Sequence, residues 1–486
     1  MPEVSARLQR RRPNVLWFTS DQQRFDTIGA LGNPHVKTAN LDRMVAEGVA
    51  FTHAFCQSPV CTPSRASFLT GLFASTIRAN RNGNARFSNA APLVTKLFAD
   101  AGYVCGNVGK LHLASAADGR EARVDDGYST FDYSLAPRAH GGYDYVDWIA
   151  GKGQAISQLA EDPDGFPVEL HQSTWCAERA CDFIVRNADR PWLLTVNPFD
   201  PHPPFDPPRV WREKFDWRAM PGPHYRDTDL AQQAALAPAD FQTRARPPHE
   251  VPRDDTTPKV YATGAALGLH EDVRKLQAAY YAMIGLLDAQ FGRILDRLSE
   301  LGLADDTLVI FTSDHGEMLG DHGLLLKGAR FYEGLVRVPL LVRYPAAMRA
   351  GLRSDALVQL TDIVPTLLDL CAVAQPARLE GRSLLPIARG EADPHCHRAF
   401  VRAEYFDALK LPAGTNATMY RTRAHKIVAY HGHDFGELYD LAKDPWEFEN
   451  LWHLPEHRLA KLELLQASFD ASISVLDRGP PRTTNW

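Results

Sequence analysis

The chain has 486 residues, 45% hydrophobic and 23% charged, enough for one large α/β domain with a sizeable core and a smaller domain beside it. Its formal charge of -6 is spread without long like-charge runs, which argues against a nucleic-acid groove or a polyanion-binding face. No apolar run reaches membrane-spanning length, and the basic opening segment leads into an apolar stretch of only residues 15–18, too short for a signal-peptide core. The seven cysteines (Cys56, Cys61, Cys105, Cys176, Cys181, Cys371 and Cys396) show no CxxC pair and no disulfide-like spacing, as expected of reduced thiols. The sequence reads as a soluble, cytoplasmic protein with neither a membrane nor a nucleic acid as partner.

Along the chain, β-rich runs alternate with helical patterns, the arrangement of a mainly parallel sheet covered on both faces. NVLWFTSD at 14–21 reads as a buried strand with a polar end, and TANLDRMVAEG at 38–48 as a helix closed by Gly48. PVCTPSRASFLTG at 59–71 sets a cysteine between prolines at the head of a helix-like run. APLVTKLFADAG followed by YVCGNVGK, and CAERACDFIVRNA followed by PWLLTVNPFD, each give a helix and then a strand. Residues 203–265 are rich in proline and charge, too long for an ordinary connection and better read as an insertion or lid. EDVRKLQAAYYAMIGLLDAQFGRILDRLSELG reads as a long amphipathic helix with a break near Gly285 or Gly292, and DTLVIFTSDHG as another buried strand. From about residue 375, short strands (RAFVRAEY, HKIVAYHG, FGELYD) and a helix near LPEHRLAKLELLQASFDASI mark a small antiparallel-sheet domain. The expected organisation is a large α/β domain over 1–374 and a small α+β domain over 375–486.

Three predicted strands end in groups suited to chemistry: Ser20-Asp21-Gln22, the run from Asn197 to His202, and Ser313-Asp314-His315. In open α/β sheets sites collect at the carboxyl ends of strands, so these segments are candidates for one shared site. Asp21, Asp314 and the amide of Gln22 offer oxygens to a hard divalent cation, and His315 offers a nitrogen. His112 in VGKLHL, His202 in DPHPPF and Lys327 in LLLKG have ordinary readings singly, as a core histidine, a turn residue and a solvated lysine. Cys61 reads as a small packing hydrophobe, a nucleophile or the precursor of one.

In this setting the chain resembles the type I, formylglycine-dependent sulfatases of the alkaline phosphatase superfamily. CTPSR matches that family's C-x-P-x-R motif, and NVLWFTSDQQR, GKLHL, DPHPPF, SDHGEMLGDHGLLLKG and ELYDLAKDPWEFENL follow it in order over almost the whole length. The resemblance implies an alkaline phosphatase-like fold: a large mixed, mainly parallel sheet flanked by helices, with a small C-terminal antiparallel sheet. It implies that Cys61 is oxidised to formylglycine by a formylglycine-generating enzyme, with Pro63 and Arg65 in the modification motif and Arg65 steadying the hydrated aldehyde. One hydroxyl of that hydrate attacks sulfur or phosphorus and the other later expels the ester group. By position, Asp21, Gln22, Asp314 and His315, with residue 61, resemble the ligands of one divalent cation. Ca2+ is the family's common metal, and the nitrogen ligand leaves Mn2+ or Mg2+ open. Lys110 and His112 resemble the pair that handles the nucleophile, His202 and Lys327 the pair on the leaving-group side, and Asn82 a substrate contact.

The substrate expected is a small-molecule sulfate monoester. Phosphonate monoester and phosphodiester hydrolases share the formylglycine and the DQ and DH pairs, so a phosphate or phosphonate ester is the competing reading. A non-catalytic binding protein is disfavoured by the intact set of residues, and a two-zinc nucleotide phosphodiesterase by the cysteine at position 61. Homo-oligomerisation is left open.

Overall fold

Strand β1 (Asn14–Ser20) is enclosed at every residue. Its period of two sends Val15 and Trp17 to one face and Leu16 and Phe18 to the other, and a strand apolar on both sides suits a sheet covered on both faces. The computed structural model describes residues 12–88, 90–136, 142–161, 166–252 and 270–476. Within them β1 joins β2 (Val49–Phe51), β3 (Val104–Gly109), β4 (Thr130–Tyr133), β5 (Trp192–Asn197), β6 (Thr307–Ser313), β7 (Leu340–Arg343) and β8 (Leu352–Ser354) in the order β8-β2-β7-β6-β1-β5-β3-β4. Strand β7 runs against β6 and β2, and the other pairs are parallel. This is the large, mixed, mainly parallel sheet that the alternating pattern predicts.

The principal helices are α1 (Ala39–Glu47), α2 (Cys61–Thr70), α3 (Val94–Asp100), α4 (Gln172–Arg186), α5 (Val273–Glu300), α6 (Ile363–Leu370) and α7 (Arg458–Ser474). Helices α1, α4 and α5 cover one face through Met44, Phe183 and Phe291, among others. Helices α2, α3 and α6 cover the opposite face through Phe68, Phe98 and Leu367. Helix α5 corrects one expectation: it runs unbroken for 28 residues. Gly285 and Gly292 serve close approach instead, since a Cβ would stand 2.9 Å from the Trp211 ring at the first and 2.5 Å from the Asn40 carboxamide at the second. Gly48 does end α1, but not in the left-handed conformation of a glycine cap. A Cβ there would lie 2.3 Å from the Val342 carbonyl.

Of the stretch read as an insertion, residues 253–265 lie outside the described residues. The part before them packs Phe205 and Met220 against α5, and Phe241 bridges to Gly328. The C-terminal sheet has four antiparallel strands, β9 (Phe400–Phe406), β10 (Asn416–Thr422), β11 (His425–Tyr430) and β12 (Gly436–Asp440), paired in chain order. Strand β10 adds to the three expected. Its Ala417, Met419 and their neighbours Val401, Tyr405 and Val428 belong to the same apolar core as α2 and α6, while Tyr420, Ile427 and Leu438 pack under α7.

A buried ion cluster pins this sheet to the rest. The Lys426 ammonium, fully enclosed, lies 2.9 Å from Glu333 Oε1 and 2.7 Å from Glu447 Oε1 and donates to the Phe331 carbonyl. Arg421 also reaches Glu333 at 3.3 Å. Burial pushes the Glu447 carboxyl up to about 7 although Lys426 opposes it, whereas Arg421 and Lys426 outweigh burial at Glu333 and hold it below the ordinary range. Removing one partner from such a cluster strands the others in a dry interior. Lys426→Met is therefore expected to cost about 3 kcal/mol or more, read as a lowered urea midpoint; an unchanged midpoint would show that the cluster contributes nothing.

Candidate active site

Parallel pairing of β1 with β6 sets Ser20 beside Ser313, so the next residues, Asp21 and Asp314, leave the sheet side by side. Both carboxylates are fully buried. Asp314 Oδ1 accepts from the Gln22 and His315 backbone N–H groups, each at 3.0 Å, and Oδ2 from Arg65 Nε at 2.9 Å. Asp21 Oδ2 is bound by the Lys110 ammonium and lies 3.7 Å from Arg65 Nη2. Burial and the neighbouring Asp21 both push Asp314 toward protonation, and the charges of Arg65, His315 and Lys110 outweigh them and keep it ionised. Lys110 in turn is held protonated by Asp21 and Cys61 against burial.

Cys61 meets these groups because it opens helix α2 directly beneath the strand ends. Its Sγ lies 3.1 Å from His315 Nε2, 3.0 Å from Lys327 Nζ and 3.9 Å from Asp21 Oδ1. Burial disfavours the thiolate, but Lys110, Lys327 and His315 draw the thiol well below its ordinary pKa. The local sequence suits the position. Pro63 falls in the first helical turn, where its missing N–H loses no bond. Ser64 Oγ donates to the Asp314 carbonyl at 2.5 Å, and Arg65, one turn on, reaches the carboxylates and the Lys110 carbonyl. Arg65 thus supports the carboxylates of the site. The carboxamide of Asn82 accepts from the Thr62 backbone N–H at 2.8 Å and so caps a helix whose own N-cap, Val60, has no side-chain acceptor.

One donor atom from each of Asp21, Cys61, Asp314 and His315 lies within 4.8 Å of the others. His315 Nδ1 donates to the Gly316 carbonyl at 2.8 Å, which turns Nε2 into the cluster, the orientation of a ligating imidazole. Gln22 joins them from a left-handed backbone (φ 67) held by Tyr280, whose hydroxyl donates to its carbonyl at 2.6 Å. The Gln22 Nε2 group donates to Glu317, leaving Oε1 to accept from Lys327 Nζ at 2.7 Å. Two carboxylates, an amide oxygen and an imidazole nitrogen fit a divalent cation.

The histidines stand around this centre. His112 takes a left-handed backbone (φ 60), held by Glu121, whose carboxylate accepts from the N–H groups of His112, Leu113 and Ala114 at 3.0, 3.2 and 3.5 Å. Its Nδ1 has no hydrogen-bond partner among the described residues. His202 Nδ1 donates to the Pro203 carbonyl at 2.7 Å, so Nε2 is the bare nitrogen. Burial and the charges of Lys110 and Lys327 hold both rings neutral, well below the ordinary histidine range.

Sequence reasoning passed over the carboxylates that shape the loops. Glu317 accepts from Gln22 and from the backbone N–H groups of Leu319, at 3.1 Å, and Leu326. It stands three residues after Asp314 in the same motif, a signal that was visible. Glu121 lies in a loop with no pattern to mark it, and burial lifts its pKa to about 7. Arg24 ties the Glu317 and Met318 carbonyls to Asp321.

Residues 13–373 match the sulfatase family, and residues 320–470 match the C-terminal region of N-sulphoglucosamine sulphohydrolases. The chain belongs to the sulfatase family. That membership makes it an enzyme of the sulfuric ester hydrolase class. This sulfatase-family chain is 29% identical over 469 residues to an arylsulfatase of Clostridium perfringens, covering 92% of each chain. It is 28% identical to the multifunctional alkaline phosphatase superfamily protein PehA of Trinickia caryophylli, covering 96% of each. The crystal structure of a phosphonate monoester hydrolase of Agrobacterium radiobacter superposes with a TM-score of 0.80 at 26% identity, again over 96% of each chain.

The Glu317 contact generates a test. Glu317→Ala frees the Gln22 amide to turn, and binding of Mn2+ or Ca2+, measured by calorimetry, should weaken roughly tenfold or more; unchanged affinity would show that the amide is oriented by something else.

Proposed function

We propose that the protein hydrolyses a sulfate monoester with a formylglycine made from Cys61 and one divalent cation held by Asp21, Gln22, Asp314, His315 and residue 61. The observation that carries this reading is the burial of Cys61 against two carboxylates, a correctly turned imidazole and two ammonium groups at the carboxyl ends of adjacent strands. When bound, the cation would neutralise the anionic ester and favour the ionised nucleophile; Ca2+ suits the oxygens, and the imidazole admits Mn2+ or Mg2+. As formylglycine hydrate, residue 61 would supply one hydroxyl for attack and a second for release of the ester group. Cys61 is 1% exposed, so the converting enzyme would act before the site closes. The seven free cysteines support a reducing, cytoplasmic setting, and we take 1–374 as the catalytic domain and 375–486 as the C-terminal one.

The side chains divide the remaining work. Lys110 holds Asp21 and stands next to residue 61, and His112, kept neutral, is ready to take a proton from the nucleophile's free hydroxyl. Lys327 has three donors on a charged head already aimed at Gln22 and Cys61, suited to ester oxygens. His202 presents a bare Nε2. Its depressed pKa comes in part from Lys327 and Lys110, and an anionic ester between them would offset those charges, raise the imidazole's proton affinity and equip it to protonate the departing alcohol. Asn82, fixed to Thr62, would touch substrate only through its amide nitrogen.

A second reading, hydrolysis of phosphonate monoesters or phosphodiesters at the same site, is favoured by the 0.80 superposition on a phosphonate monoester hydrolase and by the neutral Gln22 beside Asp21. Rates on an aryl sulfate, a phosphodiester and a phosphonate monoester, compared on protein of known aldehyde content, decide between them.

Peptide mass spectrometry on active enzyme should find residue 61 as the aldehyde, and Cys61→Ala should lose about a thousandfold or more in turnover while staying folded. Fully active protein carrying an intact thiol would end this reading. His202→Ala and Lys327→Ala should hurt esters of poor alkoxide leaving groups far more than activated aryl esters, steepening the dependence of rate on leaving-group acidity, whereas His112→Ala should give a first-turnover burst. The same slope for all three variants would refute this division.

A further inference from the structure

Helix α7 is apolar on two sides. Its inner side, with Ala471 and the partly buried Leu464, Leu465 and Ala467, packs on the C-terminal sheet. The outer side carries Leu459, Leu462, Phe469 and Ile473, with Leu476 just beyond the helix, and these are 69, 53, 65, 41 and 52% exposed. Elsewhere among the described residues, large exposed apolar side chains are scattered singly, as Val185, Val210 and Leu301, apart from Leu454 just before the helix. A helix apolar all round is ordinarily enclosed all round.

The spacing of the outer residues is specific. Leu459, Leu462, Gln466, Phe469 and Ile473 step by three and four in strict alternation, the a and d positions of a heptad with one polar residue at a central a. We propose that this face is a homodimer seam in which α7 of two copies pack parallel and in register about a two-fold axis along the helices.

Charge and polarity select the second copy and its direction. In a parallel pair Gln466 meets its own counterpart, and each amide can donate to and accept from the other. Antiparallel, it would face an apolar d residue and lose that partner. The exposed residues flanking the seam are Arg458 at a g position and Glu463 and Asp470 at e positions. Parallel packing brings Arg458 opposite Glu463 of the other copy on both sides. Antiparallel packing would set Glu463 against Asp470, like charge against like. One basic and two acidic groups beside the seam also give no net attraction to an anionic lipid surface. The apolar side chains expose roughly 500 Å2, so pairing two copies removes about 1,000 Å2 from water, the lower bound for a specific interface. The helix is already folded on its own sheet, so association does not have to order it.

Sedimentation of the full chain at tens of micromolar should give a dimer. Leu462→Glu with Phe469→Glu should weaken association roughly a hundredfold or more while turnover and the circular dichroism of the folded chain hold, because no residue of α7 stands in the active site. Arg458→Glu alone should weaken the dimer and the exchange Arg458→Glu with Glu463→Arg should restore it. Gln466→Cys, in a Cys396→Ser background to remove the exposed native thiol, should oxidise to a disulfide-linked dimer. A chain that stays monomeric, or a dimer indifferent to the double glutamate variant, would overturn the proposal. So would association that begins only when residues 477–486 are deleted, or flotation of monomer with phosphatidylglycerol vesicles. A dimer strengthened by Glu463→Arg alone would overturn the parallel arrangement.

Discussion

Two carboxylates buried side by side at the ends of adjacent parallel strands are the constraint from which the rest of the site follows. Burying a carboxylate away from water is costly unless positive charge is brought to it. The chain brings Arg65 between the two and Lys110 onto Asp21, and sets Lys327 on Gln22 and Cys61 beside them. The three come from different segments, so the second turn of α2, the end of β3 and the loop after β6 meet at one point. The same positive field that stabilises the carboxylates lowers the Cys61 thiol and keeps both histidines neutral.

Around that centre, buried carboxylates act as clamps on backbone. Glu317 gathers two N–H groups and the Gln22 amide, so the loop carrying Lys327 and the side chain that faces it are set by one residue. Glu121 does the same for the loop of His112. Both segments contain left-handed residues outside glycine, Leu319 and Leu326 in one and His112 in the other, a backbone cost that such bonds offset. Precision at the reacting centre is thus supplied by groups that never need to touch substrate.

The small C-terminal sheet is bound into the same architecture. Its inner face is continuous with the core over α2 and α6, and Lys426 carries its charge into the gap between Glu333 and Glu447. It also brings the Ala408 carbonyl to the backbone of Asn82, which caps the helix that Cys61 opens. Disturbing this sheet should therefore reach the nucleophile through two short steps.

The sequence by itself determined the fold class, the family and the roster around the cluster. Strand ends, the cysteine–proline–arginine run and the strand-end Asp, Gln and His residues are local patterns, and local patterns are written in consecutive residues. It misjudged α5, because a glycine inside a helical pattern looks the same whether it breaks the helix or admits a neighbouring ring, and only the position of Trp211 and Asn40 decides. It was silent on Glu121 and on the fourth strand of the small sheet, and it could not say that Arg65 would serve Asp314 or that Asn82 would cap α2. Those assignments depend on which segments meet across dozens to hundreds of residues. The pKa of a buried group is set by charges that arrive from such distances, so it belongs to the tertiary structure alone.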